Sequence, residues 1–365
     1  MPRPTLAPII ADLPATVPFV GPEIIERRTG KPFRARLGAN ESAFGPSPKV
    51  IEAIAGAAGT VWTYGDSENF AIKSALAAHL ETPGETIVIG EGIDGLLGLT
   101  CRLFLAPGQR VVTSLGAYPT FNYHAAALGA ELVTVPYEND RESLDGLLDA
   151  VRAVPTKIVY LANPDNPMGT WWSAGEIARF IDAVPEQTLI VLDEAYGETA
   201  PAGTLPPITL LRPNLLRFRT FSKAYGMAGM RIGYCIGPDG LVAAFDRIRN
   251  HFGVNKLAQI AACAALDDQP YLVRTVAAIA AGRNRIAERA AALGLSALPS
   301  ATNFVAIDCG ADGAFAQSIL ERLLDRAIFV RKPMVAGLDR CIRLSVGRPA
   351  DIELACDALA EALGG

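Results

Sequence analysis

Residues 217–234 read Arg-Phe-Arg-Thr-Phe-Ser-Lys-Ala-Tyr-Gly-Met-Ala-Gly-Met-Arg-Ile-Gly-Tyr, and the fold turns on this stretch. Its first half alternates, with Phe218 and Phe221 among polar neighbours, which predicts a strand ending at Ser222-Lys223. Gly226, Gly229 and Gly233 follow, with Arg231 between the last two. Glycines this dense after a strand let the backbone turn sharply and approach a ligand closely. Lys223 has two readings. It is an ordinary surface lysine ending a strand, since lysines are rarely buried. Or it is partly desolvated, which lowers its pKa and makes its amine a usable nucleophile.

Upstream, Thr188-Leu-Ile-Val-Leu-Asp-Glu-Ala-Tyr196 is a continuous apolar run ended by two carboxylates. So apolar a run reads as a central parallel strand buried on both faces. Asp193 and Glu194 side by side suit a metal site or an acid–base pair, but no histidine cluster lies near them. Before it, a strand over 157–161 runs into Asn163-Pro-Asp-Asn-Pro-Met-Gly169, either a rigid loop or, at a parallel strand's C-terminal end, a ligand site. Ser173 and Glu176 form a capping box for a helix over 173–183. Earlier still, a buried strand over 87–90 leads into Gly90-Glu-Gly-Ile-Asp-Gly95 and a helix over 96–104, whose N-terminal amides suit an anion. Strands over 110–113 and 131–136 and helices over 49–58, 70–80 and 144–151 complete an α/β alternation.

Downstream, a helical region from 240 to 293 is divided at Pro270. Strands over 304–308, 328–331 and 340–347, with helices over 313–326 and 350–363, make a compact second unit. Arg343 lies within the last strand among apolar neighbours. A buried arginine calls for a carboxylate, from a ligand or from the chain itself.

With 365 residues, half of them hydrophobic and 19% charged, the chain suits two domains of an ordinary globular protein. A net charge of −5 gives no reason to expect nucleic acid. Six scattered cysteines without a C-x-x-C pair, and three histidines, argue against a disulfide framework or a zinc site. Reduced cysteines, prolines that interrupt the N-terminal segment and no apolar run long enough to span a bilayer point to a cytoplasmic protein.

The pattern Ser-Lys-Ala-x-Gly-x-Ala-Gly-x-Arg-x-Gly-Tyr resembles the cofactor-lysine signature of fold-type I pyridoxal-phosphate aminotransferases, and within them the histidinol-phosphate aminotransferase family. The resemblance runs from about Leu37 to the C-terminus. It implies an α/β fold-type I architecture with a large domain over 37–255, built on a mostly parallel seven-stranded sheet. A small α+β domain over 256–365 and an N-terminal arm over 1–36 complete it. Lys223 would hold pyridoxal 5'-phosphate and move protons, Asp193 would face the pyridine nitrogen, and Tyr196 and Asn166 the 3-hydroxyl. Ser222, Arg231 and the amides of Ile93 and Asp94 would anchor the phosphate, and Tyr118 would stack on the ring. Tyr64, in Thr63-Tyr-Gly-Asp66, would reach the phosphate in the other subunit of a homodimer. On its own, Tyr64 reads more readily as a packing aromatic, while Tyr118 reads equally as a half-buried turn aromatic.

Asn40, Arg343 and Arg331 would meet the substrate, with Arg343 taking the α-carboxylate. The partners implied are an amino donor, histidinol phosphate or an aromatic amino acid, and a 2-oxo acid acceptor, 2-oxoglutarate. A decarboxylase of threonine-phosphate type shares nearly all these motifs, and a non-catalytic regulator with this fold is a third reading. The chain departs from the family pattern at Ser42-Ala43, Ile93, Met168 and Lys332.

Overall fold

The computed structural model describes residues 4–11, 13 and 20–364; expectations for the arm that fall on 1–3, 12 and 14–19 lie outside the described residues. Helices α1 (Pro8–Ala11) and α2 (Pro22–Thr29) precede a short strand, β1 (Ala35–Arg36). Then come α3 (Pro48–Ala57), α4 (Phe70–Leu80), β2 (Ile87–Gly90), α5 (Gly92–Phe104), β3 (Arg110–Ser114), α6 (Pro119–Ala127) and β4 (Glu131–Val135). The alternation continues through α7 (Leu144–Ala153), β5 (Ile158–Ala162), α8 (Ala174–Ala183), β6 (Leu189–Asp193), β7 (Leu215–Thr220) and β8 (Gly233–Ile236). Three helices follow, α9 (Asp239–Ala243), α10 (Lys256–Leu266) and α11 (Gln269–Ala292). The chain closes with β9 (Ser296–Ala297), β10 (Phe304–Asp308), α12 (Gly313–Asp325), β11 (Ile328–Phe329), β12 (Cys341–Ser345) and α13 (Pro349–Gly364).

Local chemistry sets the helix starts. Ser173 and Glu176 form the expected capping box on α8. Ser47 caps α3 by accepting from the Val50 N–H, with Pro48 in the first turn. Pro270 likewise lies in the first turn of α11, where its missing N–H costs nothing, and the Asp268 side chain caps that helix.

Seven strands form one sheet in the order β2-β8-β7-β6-β5-β3-β4. Only β8 runs against its neighbours, β2 and β7; the other pairings are parallel. Every residue of β5 and β6 is buried. Because side chains alternate across a strand, Ile158, Tyr160 and Val191 join the core beneath α5 and α6, while Val159, Leu161, Ile190 and Leu192 join the core beneath α7 and α8. The parallel strands β5, β6 and β7 all end at one edge, which delivers the loops after Ala162, Asp193 and Thr220 to a common place.

The C-terminal unit is an antiparallel sheet, β12-β10-β9, with α11, α12 and α13 packed into its core. Two details differ from expectation. The strand expected over 328–331 is only Ile328–Phe329, and it pairs in parallel with β1 of the arm rather than within the small sheet. The division expected at 255/256 falls just before α10. That helix packs through Ala258, Ala261, Ala262 and Ala265 into the core containing Phe221 and Tyr234; of the later helices, α11 is the first to enter the small-unit core, which also takes in Ala35 and Leu37.

Candidate active site

Between the large sheet and the C-terminal unit lies a cleft of ≈ 360 Å³. Every residue chosen from the sequence except Tyr64 lines it, together with Gly21 and Pro22 of the arm.

The turn after β7 builds its floor. Gly226 has φ 69°, and a Cβ there would lie 2.2 Å from the Gly45 carbonyl oxygen, so only glycine permits the turn. At Gly233 a Cβ would come within 2.9 Å of the Arg219 carbonyl and 3.1 Å of the Ile93 nitrogen, so its absence lets β8 pass the start of α5. Gly229 has no such constraint: nothing lies within 4 Å of a Cβ there. The helix expected to begin at 96 begins at Gly92, which puts Ile93 and Asp94 in its first turn with the amides aimed outward from the helix start.

Lys223 is half-buried on this floor. Its Nζ donates to the Asn40 carbonyl at 3.2 Å and lies 5.5 Å from the centre of the Tyr196 ring. Burial, and then the Arg343 guanidinium, hold its pKa down at about 8. Asp193 ends β6. Its Oδ2 accepts from the Tyr160 hydroxyl at 2.7 Å and its Oδ1 from the Ala195 N–H at 2.9 Å. Burial pushes this carboxyl up to about 6, against those two hydrogen bonds. Glu194 turns the other way, onto Arg217 and Arg219 at 2.7 and 3.0 Å, so the paired acids of the sequence serve two separate clusters.

Arg343 rises from β12 into the cleft. Its Nη1 donates to Asn166 Oδ1 at 2.5 Å and its Nη2 to the Gly38 carbonyl at 3.4 Å, while its buried Nε makes no hydrogen bond. Burial lowers its pKa to about 10. Among the described residues neither Lys223 nor Arg343 forms an ion pair. Arg331 forms an isolated bridge with Arg343, and its Nη2 donates to the Val20 carbonyl of the arm at 2.8 Å. Asn40 is the hub: its Nδ2 donates to the Tyr196 hydroxyl at 2.9 Å, and its N–H and Oδ1 meet the Ser345 hydroxyl at 3.0 and 3.1 Å. Near α5, the Tyr118 hydroxyl donates to Asp94 Oδ1 at 2.9 Å, and Arg231 faces Asp94 at 3.6 Å. The Thr220 hydroxyl donates to Ser222 Oγ at 3.0 Å.

Tyr64 stands apart. Its side chain is 79% exposed and stacks on Phe252, ring centres 4.6 Å apart, outside this chain's own cleft. Sequence reasoning missed Tyr160, Asn303, Thr220 and Ser345. Asn303 Nδ2 donates to the Asn40 carbonyl at 3.0 Å and so supports the oxygen that Lys223 uses. Tyr160 did leave a signal: a phenol within an otherwise apolar buried strand needs a hydrogen-bond partner.

A half-buried lysine, a buried carboxylate at a strand end, an arginine with an open donor and a helix start rich in amides make a candidate site for an amine chemistry on an anionic ligand. The description "Aminotransferase class I and II" matches residues 35–359, and the chain belongs to this family. Within it, the chain is similar to histidinol-phosphate aminotransferases. It is 38% identical to that of Anaeromyxobacter sp. over 99% of this chain and 100% of that protein. It is 37% identical to histidinol-phosphate aminotransferase 2 of Pseudomonas fluorescens, over 90% of this chain and 88% of that protein. The crystal structure of the Sinorhizobium meliloti histidinol-phosphate aminotransferase in complex with pyridoxal-5'-phosphate superposes with a TM-score of 0.96 at 55% identity, covering 98% of this chain and 97% of that one.

Proposed function

We propose that this aminotransferase uses pyridoxal 5'-phosphate to move an amino group from histidinol phosphate to 2-oxoglutarate. The observation that carries the reading is Lys223: a half-buried amine whose pKa is held down to about 8, facing a buried carboxylate across a cleft with an open arginine. The donor set fits the cofactor. Asp193 offers a carboxylate to the ring nitrogen, Asn166 and Tyr196 offer polar groups to the 3-hydroxyl, and Tyr118 offers an aromatic face. Ser222, Arg231 and the amides of Ile93 and Asp94 offer donors to the phosphate. When bound, the cofactor supplies an electron sink for the charge left at Cα as its proton is removed.

The chain's own residues do the rest. Lys223 would hold the cofactor covalently between turnovers, and its amine, once free, would take the Cα proton and hold it on Nζ for return to the substrate. Its depressed pKa keeps part of the amine neutral near pH 8. Arg343 receives the α-carboxylate of the amino-acid partner through its open Nε edge. Asn40 fixes the Tyr196 hydroxyl and gives Lys223 a resting acceptor. Arg331, tied to the arm, meets the remaining anionic group of the substrate.

The relatives named above are aminotransferases, which favours this reading over the decarboxylase. We assign the chain to a cytoplasmic homodimer in which Tyr64 completes the partner's phosphate site. The support is an exposed aromatic group, Trp62, Tyr64, Phe70 and Phe252, of a kind that isolated chains rarely leave in water. Among the described residues no helix is long and apolar enough to cross a membrane. A sedimentation profile of monomers alone would remove the shared site.

The test of the reaction is to titrate the cofactor-loaded protein with L-histidinol phosphate and no acceptor. The expected result is loss of the cofactor's visible band with one equivalent of oxo product per site, and recovery of the band on adding 2-oxoglutarate. An unchanged band removes histidinol phosphate as donor.

A further inference from the structure

Tyr160 lies in the middle of β5 with its side chain fully buried, and its ring stacks on Phe121, centres 4.6 Å apart and planes 16° from parallel. It also lines the cleft, where its hydroxyl donates to Asp193 Oδ2 at 2.7 Å. The other Asp193 oxygen takes a backbone donor, the Ala195 N–H. Among the described residues, then, Tyr160 is the one side-chain donor to this carboxylate, and no cation pairs with it. A buried carboxylate without a counter-ion gives up its charge unless donors hold it.

The groups facing Asp193 come from several elements. Asp94 approaches from α5 and Glu142 from the loop before α7, both acidic and both opposing a second negative charge. Tyr196 lies beyond β6, and Lys223, beyond β7, attracts the carboxylate from outside ion-pair distance. None of these touches the carboxylate; beside the Ala195 N–H, Tyr160 makes the one direct contact among the described residues that favours the charged form.

We propose that Tyr160 is a positioning residue for Asp193: its hydroxyl keeps that carboxylate ionised and aimed into the cleft, and so sets the lower pH limit at which the site holds its cofactor. The Phe121 stack fixes the phenol ring, and Phe121 belongs to α6, the helix that starts directly after Tyr118. One aromatic pair therefore ties the support of Asp193 to the helix carrying the ring-stacking tyrosine. The inference rests on the role assigned to Asp193 above.

The experiment measures the dissociation constant of pyridoxal phosphate for the full chain cleared of cofactor, at steps from pH 5.5 to 8.5. The parent, Tyr160→Phe and Asp193→Asn are compared at each pH, so the cofactor's own titration cancels in the ratios. Tyr160→Phe keeps the ring and removes the donor. If that raises the Asp193 pKa by about one unit, the competent fraction falls, and affinity drops about fivefold at pH 6 but less than about twofold at pH 8. A ratio that is the same at every pH overturns the proposal and leaves Tyr160 a packing residue. Asp193→Asn binding as tightly as the parent overturns the Asp193 assignment itself, a separate and distinguishable failure. Should Tyr160→Phe not fold, 3-fluorotyrosine placed at 160 keeps the ring and strengthens the donor. Its affinity loss should then set in at lower pH than the parent's, and a profile unchanged from the parent's overturns the proposal.

Discussion

Asp193 and Glu194 are neighbours in sequence, both buried, and their surroundings treat them in opposite ways. Glu194 spans Arg217 and Arg219, each within 3.0 Å, and Arg217 also donates to the carbonyls of Pro206 and Pro207. Burial works to raise the Glu194 carboxyl, but the two guanidinium groups overcome it and hold it low. One residue earlier, burial is not overcome: Asp193 rises to about 6, Lys223 falls to about 8 and Arg343 to about 10. The first cluster is closed by the chain itself. The second leaves an amine, a carboxylate and a guanidinium without opposite charges in contact, and that is the one facing the cleft. Uncompensated burial, rather than burial or charge alone, separates the candidate site from the scaffold here.

The sharpest break between the two clusters is functional. Lys223→Ala should abolish transamination, a loss of roughly a thousandfold or more, while the variant folds with parental cooperativity, because no ion pair is lost. Steady-state assay beside urea unfolding reads both effects, and turnover surviving the substitution would remove Lys223 from the chemistry. Glu194→Gln should do the reverse. It leaves one buried and one partly buried guanidinium group facing a neutral amide and should cost about 3 to 5 kcal/mol in urea unfolding. Cofactor-loaded protein that survives the change should keep most of its turnover rate. If Glu194→Gln is as stable as the parent, the closed cluster is not the scaffold its geometry indicates.

The sequence made these clusters legible to different degrees. Lys223, Asp193 and the Asn163–Gly169 loop were placed correctly at the ends of parallel strands because strand period and turn residues are local signals. The partition of Asp193 from Glu194 was not visible. It depends on strand alternation that puts Arg217 and Arg219 on the side of Glu194, a pairing across strands. The hub role of Asn40 was hidden for the same reason: its partner Ser345 is 305 residues away. Its backbone also takes the left-handed φ of 55°, as does Arg231, a conformation that asparagine tolerates better than most side chains and that nothing about an arginine announces. The pairing of β1 with β11 likewise joins two-residue strands too short for any period to mark. Chemistry written in local spacing could be read; chemistry made by distant contacts could not.

The smallest expected effect separates the two carboxylates by sign. In the cofactor-free protein the folded pKa of Asp193, about 6, lies above its ordinary value of 3.8. The folded state therefore binds more protons than the unfolded chain in that interval. The contribution of Asp193 to stability is full below about pH 4 and is lost as pH rises through about 6. Glu194 is depressed, so its contribution is full above its ordinary value of 4.5 and is lost as pH falls. Asp193→Asn abolishes the first titration and keeps the shape of the side chain. Relative to the parent, it should gain about 1 to 3 kcal/mol between pH 4 and pH 7, measured by urea unfolding without cofactor. Glu142 faces Asp193 and is pushed up in part by its charge, so relieving that repulsion adds to the gain in the same direction. Glu194→Gln, measured in the same way, should stay below the parent by a nearly constant margin above about pH 5 and close on it only as pH falls below 4.5. Two curves of the same slope would mean that Asp193 is as well compensated as its neighbour. The contrast between an open and a closed cluster would then reduce to position alone.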